Sequence, residues 1–92
     1  DGAADSGVLI CGTGIDISIA ANRHKGIRAA LLYSAETARL AREHNNANVA
    51  VFGARTMTYD EVVERLDIFL KTPFEGGRHV RRIEKIDVYG GC

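Results

Sequence analysis

A cysteine stands at the end of a short apolar run and directly ahead of a glycine turn. The order is Val8-Leu-Ile-Cys11, then Gly12-Thr13-Gly14, then Ile15 opening a helical pattern. A strand that turns through glycines into a helix aims several backbone N–H groups and a helix N-terminus at one point, which makes an anion site. A thiol beside concentrated positive potential ionises more readily than a free one. Reactive sulfur above an anion hole suits proton transfer on a phosphorylated or enolate-forming substrate. Taken alone, Cys11 also reads as a small buried hydrophobe, since free cysteines are among the most buried residues. Farther along, His44 and Asn45 close a helical stretch. Arg78 and Arg82 stand four residues apart, so both guanidinium groups can reach one anion. Plainer readings are a histidine at the negative end of a helix and a solvated basic face.

These residues need elements to position them. Short apolar runs alternate with helical patterns, which predicts an α/β fold with a parallel sheet. Strands are expected at Val8–Cys11, Arg28–Leu32 and Asn48–Phe52. A first helix should run from Ile15 to Arg23 and end at Gly26, with Ser18 and Asn22 on one face. A second reads Ser34 to His44, with Ser34 as N-cap and Asn45-Asn46 suited to a left-handed exit. Thr58 and Glu61 make a capping box for the third, Met57 and Val62 a hydrophobic staple, and Pro73 stops it. Val62, Leu66 and Phe69, with Val63 and Leu70, form its apolar stripe. The last helix, roughly His79 to Val88, carries Val80, Ile83 and Ile86 on one side and Arg78, Arg82 and Lys85 on another. His79 and Arg81 read as packing or interface residues, and His24 and Lys25 as surface. The expected architecture is a three-layer, Rossmann-like, doubly wound parallel sheet of about three strands and four helices. Under a flavodoxin-like strand order a further strand would lie beside Val8–Cys11, and the crevice would open at the Cys11 loop.

Composition narrows the classes. Ninety-two residues make one domain, 1–92, and twelve basic residues balance twelve acidic ones. Zero net charge argues against nucleic acid and anionic membrane as partners. No apolar run approaches membrane-spanning length and no leader pattern is visible. Cys11 and Cys92 form no disulfide framework, so a cytoplasmic location is expected.

The residues also follow a known pattern. Cys11-Gly-Thr-Gly14, Ser18-Ile-Ala-Ala-Asn22, Gly26-Ile-Arg-Ala-Ala30, Ala41-Arg-Glu-His-Asn45, Asn48-Val49, Gly53-Ala-Arg55 and Phe74-Glu-Gly-Gly-Arg-His79 occur in this order. From about Gly7 to Ile86 the chain resembles the type B ribose-5-phosphate isomerase family, which includes the galactose-6-phosphate and allose-6-phosphate isomerases. The resemblance implies aldose–ketose isomerisation of a sugar phosphate through a cis-enediolate, most simply ribose 5-phosphate to ribulose 5-phosphate, without metal or organic cofactor. Cys11 would be the general base that moves a proton between C1 and C2. Gly12, Thr13 and Gly14 would hold the oxyanion, and His44 would help open the furanose ring. Asn45, Arg55, Arg78 and Arg82 would bind substrate, the last two as a phosphate clamp. Preorganised oxyanion donors are typically worth about 3–4 kcal/mol of barrier each.

One residue departs from the family pattern, Gly-Thr-Gly-x-Gly: Asp16 replaces the last glycine. Its carboxylate either points away and caps the helix, or weakens binding, or serves as an acid/base group itself. The resemblance also implies a homodimer or tetramer with active sites shared between subunits, so that His44 or the arginine pair would serve a neighbour's Cys11. Family members carry a strand-helix-strand-helix portion with a Gly-Cys-Asp-His type motif before the matched region, so the chain reads as a C-terminal portion, expected to be inactive and poorly folded alone. Alternatives are a non-catalytic sugar-phosphate or nucleotide binding module, and one subunit of a galactose-6-phosphate-type isomerase.

Overall fold

The structure, a computed structural model, describes residues 6–90, with side chains through Ile86. Cys92, read above as part of no disulfide, lies outside the described residues. In chain order the elements are β1 (Gly7–Cys11), α1 (Ile15–Asn22), β2 (Ala29–Leu31), α2 (Ala35–Glu43), β3 (Val49–Gly53), α3 (Tyr59–Lys71) and α4 (Arg78–Gly90). The alternation expected from the sequence is therefore present, with strand and helix ends within two residues of those expected.

All strands are parallel, in the order β1-β3-β2. Gly7 pairs with Val49 and Cys11 with Gly53, so β1 and β3 end at the same level. The chain leaves β1, passes β3 to reach β2, and returns to the middle. Right-handed crossovers then set α1 on one face and α2 on the other. β3 is the buried centre, with Ala50, Val51 and Phe52 fully inaccessible. The core joins Ala50 and Phe52 to Leu32, Ala38 and Ala41 and to Phe69 of α3. Each large side chain buried there contributes about 1.5–3 kcal/mol. Val8 and Ile10 pair with Ala50 and Phe52 and point to the same face, yet they remain 45% and 56% exposed.

Local chemistry sets the helix ends. Ser34 caps α2 by accepting from Thr37 N–H, and Thr37 Oγ1 accepts from Ser34 N–H, a capping box closed by threonine. Asn46 exits α2 at φ 46°, as the sequence suggested. The Thr58–Glu61 box is formed as expected. In α3 the stripe is narrower than expected: Val62, Leu66 and Phe69 face the core, whereas Val63 and Leu70 are exposed. On α1, Asn22 uses its amide on the free edge of β2, donating to Ala29 C=O and accepting from Ala29 N–H.

The Glu61 cap has a pH signature. The Thr58 backbone N–H, followed by the Thr58 hydroxyl and the Arg65 guanidinium, holds the Glu61 carboxyl below the usual carboxylate range against partial desolvation. A lowered folded value means stability that is fully present above the unfolded value and lost as pH falls through the folded one. Thermal unfolding is therefore expected to lose this contribution as pH drops below about 4.3. Glu61→Gln keeps the cap and should flatten the acid-side slope; an unchanged slope would show that Glu61 does not carry it.

Candidate functional site

The site residues fall at two ends of the sheet. At the carboxyl end, β1 delivers Cys11 beside Gly53, the last residue of β3. The backbone crosses over there: Ala54 N–H donates to Cys11 C=O (2.6 Å) and Arg55 N–H to Gly12 C=O (2.8 Å). Gly53 has to be glycine, because a Cβ would lie 2.5 Å from the Thr13 carbonyl oxygen. Gly14 is also fixed: it sits at φ 83°, and a Cβ there would meet Leu31 Cδ1 at 2.5 Å. This close packing shapes the loop so that Gly14 N–H donates to Cys11 Sγ at 3.1 Å. Gly14 thus serves the sulfur, and the amides left for an oxyanion come from elsewhere in the loop and the first turn of α1.

Thr13 is exposed, and its Oγ1 accepts from Ile15 N–H (3.3 Å), which leaves the hydroxyl proton free to donate. Arg55 lies across the loop, its Nε 3.4 Å from where a Gly12 Cβ would be. Positive charge and helix N-terminus therefore meet at the same glycine turn. Asp16 is exposed in the first turn of α1, and its carboxylate makes no hydrogen bond among the described residues. The cap considered for it is not made, since the N-cap is Gly14 without a side-chain bond.

The remaining candidates are at the opposite end. His44 is the C-cap of α2, five residues before β3 starts at Val49. From Val49 to Gly53 the strand rises about 13 Å, so His44 cannot reach the Cys11 of its own chain without unfolding α2. Asn45 follows His44 and is exposed. Glu75 N–H donates to Glu43 C=O (3.1 Å), which ties the loop after α3 to the end of α2 and starts α4 there. His79, in the first turn of α4, is 2% exposed and stacks on His44 with ring centroids 4.3 Å apart. Arg78 and Arg82 are both exposed on this helix. The chain thus brings together Cys11, Gly12, Thr13, Gly14 and Arg55 at one end, and His44, Asn45 and Arg78 at the other, with Arg82 one turn along α4.

A groove of about 410 Å³ lies along β2, lined by Asn22, Arg28, Leu31, Leu40, Asn45 and Ile86. It is mostly apolar and excludes Cys11. His79 agrees with its reading as a packing residue, but its contact with His44 and its Glu75 partner were not expected; the spacing of Glu75 and His79 was the available signal. Arg65 is another surprise: buried on α3, it donates to Leu32 C=O (3.3 Å) and pairs with Glu61 (3.1 Å). Among the described residues no helix is long and apolar enough to cross a membrane.

Comparison with known proteins bears on the family and the fold. Residues 1–86 match the ribose/galactose isomerase family. The ribose-5-phosphate isomerase B of Escherichia coli is 46% identical over 85 residues, covering 92% of this chain and 57% of that protein. A ribose 5-phosphate isomerase structure from Thermotoga maritima superposes with a TM-score of 0.91 at 56% identity, over 92% of this chain and 59% of that one. The Mycoplasma genitalium ribose-5-phosphate isomerase B, solved with bound ribulose-5-phosphate, gives 0.90 at 53% identity, over 95% of this chain and 57% of the other. The chain spans 56–57% of the length of the curated relatives from Mycoplasma genitalium and Escherichia coli. Matched by the family model over residues 1–86 and by these relatives over more than nine-tenths of its length, the chain belongs to the ribose/galactose isomerase family.

Proposed function

We propose that this protein interconverts an aldose phosphate and a ketose phosphate, most simply ribose 5-phosphate and ribulose 5-phosphate, with Cys11 as the general base. The observation that carries the reading is the Gly14 N–H held on Cys11 Sγ at the mouth of a glycine loop. That donor fixes the direction of the sulfur, and the neighbouring loop amides and the Thr13 hydroxyl would hold the enediolate oxygen. Abstracting a proton α to a carbonyl is uphill until that oxygen is held, so base and oxyanion donors belong together. The ribulose-5-phosphate found on the Mycoplasma genitalium relative supports the substrate class.

His44 is proposed to open the furanose ring for the Cys11 of a neighbouring copy, with the two ends of the sheet meeting across a subunit contact. Exposed apolar residues of β1 and α1, among them Ile10, Ile15 and Ile19, fit a chain that associates. Arg78 and Arg82 are proposed to grip the phosphate. The test is a coupled assay on ribose 5-phosphate, with galactose 6-phosphate as the competing substrate. Turnover of the pentose phosphate is expected of the intact, assembled protein; turnover of neither sugar phosphate by it would overturn the reading. Arg82→Ala should raise KM by about tenfold with kcat nearly unchanged, because a phosphate grip made equally in ground and transition states is uniform binding. A fall in kcat at constant KM would remove Arg82 from the clamp.

A further inference from the structure

We propose that Leu31 of β2 is a positioning residue for the reaction, its terminal methyl setting where Gly14 stands against the Cys11 sulfur. The inference rests on the reading of Cys11 as the base. Two strands hold the loop, at different places. β3 fixes its beginning, through the Ala54 N–H bond to Cys11 C=O and the Arg55 N–H bond to Gly12 C=O. Its end is Gly14, which is buried although Thr13 and Ile15 on either side are exposed. A Cβ built on Gly14 would lie 2.5 Å from Leu31 Cδ1 and 3.3 Å from the Phe52 carbonyl oxygen. The leucine methyl therefore occupies the space that a side chain at position 14 would take. Phe52 belongs to β3, so Leu31 is the contact that ties the end of the loop to β2.

The helix that follows gives the loop little other support. No residue of α1 is buried, and Ile15 and Ile19 are 52% and 60% exposed. What fastens α1 is β2, at both ends. Leu31 lies beneath Gly14, and the Asn22 amide accepts from Ala29 N–H at 2.7 Å and donates to Ala29 C=O at 2.9 Å. Leu31 is itself only half-buried and lines the groove along β2. With open space on that side, shortening Leu31 lets Gly14 and the first turn of α1 settle toward β2. That movement draws the Gly14 N–H away from Cys11 Sγ, which it meets at 3.1 Å. A misplacement of about 1 Å can cost about 10²-fold in rate.

Leu31→Val and Leu31→Met in the intact, assembled protein test this. Valine suits a strand but lacks the δ carbons, whereas methionine conserves volume and keeps the reach. Leu31→Val is expected to lower kcat on ribose 5-phosphate by about tenfold with KM nearly unchanged, and Leu31→Ala by about 10²-fold. Leu31→Met should restore most of the rate. Hydrogen exchange at the Gly14 amide, followed by NMR, should be faster in Leu31→Val than in the unchanged protein or in Leu31→Met. Leu66→Ala removes a side chain packed against the core from α3, and should lower Tm while leaving kcat as it was. Full kcat in Leu31→Val, a rise in KM in place of the fall in kcat, or unaltered Gly14 exchange would each overturn the role. An equal loss of kcat in Leu66→Ala would reduce Leu31 to a packing residue. The isomerase reading fails differently: the unchanged protein would turn over no sugar phosphate, or Cys11→Ala would keep its rate, and this role would fall with it.

Discussion

Cys11→Ala is expected to lower kcat on ribose 5-phosphate by about 10²–10⁴-fold, the usual contribution of a positioned general base. KM should change little, because the proposed phosphate-binding arginines are untouched. The fold should survive. Cys11 is only half-buried, so removing one sulfur leaves a space that water can enter rather than a sealed void. Gly14 N–H loses its acceptor, but at a partly exposed loop water replaces it. Steady-state kinetics with thermal unfolding on the same sample separate the two effects. If Cys11→Ala kept wild-type kcat with a normal unfolding transition, sulfur would not be the base. Asp16 would then be the carboxylate to test, since it is exposed in the first turn of the helix that begins at the loop.

What the sequence disclosed and what it hid follow physical lines. Thr58 and Glu61 were readable because a capping box is local, needing three consecutive peptide units and nothing else. The Ser34–Thr37 box escaped because the usual signature carries Glu or Gln where Thr37 stands. Val63 and Leu70 showed the limit of periodicity, which gives the direction of an apolar face but not its width. Burial of His79 is a tertiary event, created when the loop after α3 bonds to the end of α2. Its reading as a packing residue held, but its partners His44 and Glu75 come from other segments, so nothing within α4 names them. At the site, the residues at the Cys11 end were legible because strand, turn and helix are contiguous. The separation of His44 from Cys11 was legible in principle: in a parallel α/β unit a helix returns the chain to the amino end of the next strand, so a C-cap and a strand end lie at opposite edges.

That separation leads to the second large effect. Cys11→Ala and His44→Ala chains, each nearly inactive alone, should regain activity when unfolded, mixed and refolded together. If each site takes its sulfur from one copy and its imidazole from the other, a mixed pair holds one site with both defects and one with neither. Random pairing of equal amounts makes half the pairs mixed, each with one working site of two, so about a quarter of wild-type activity is expected from a two-fold assembly. The alternative arrangement predicts none, because a site built within one copy stays broken in every chain. His44→Ala removes the stacking on His79, but His79 keeps Glu75 and the first turn of α4 as partners, so the fold at that end should survive. Recovery near a quarter would place His44 across the contact from Cys11. No recovery, with both variants folded and associated as judged by sedimentation, would return His44 to the role of a helix cap.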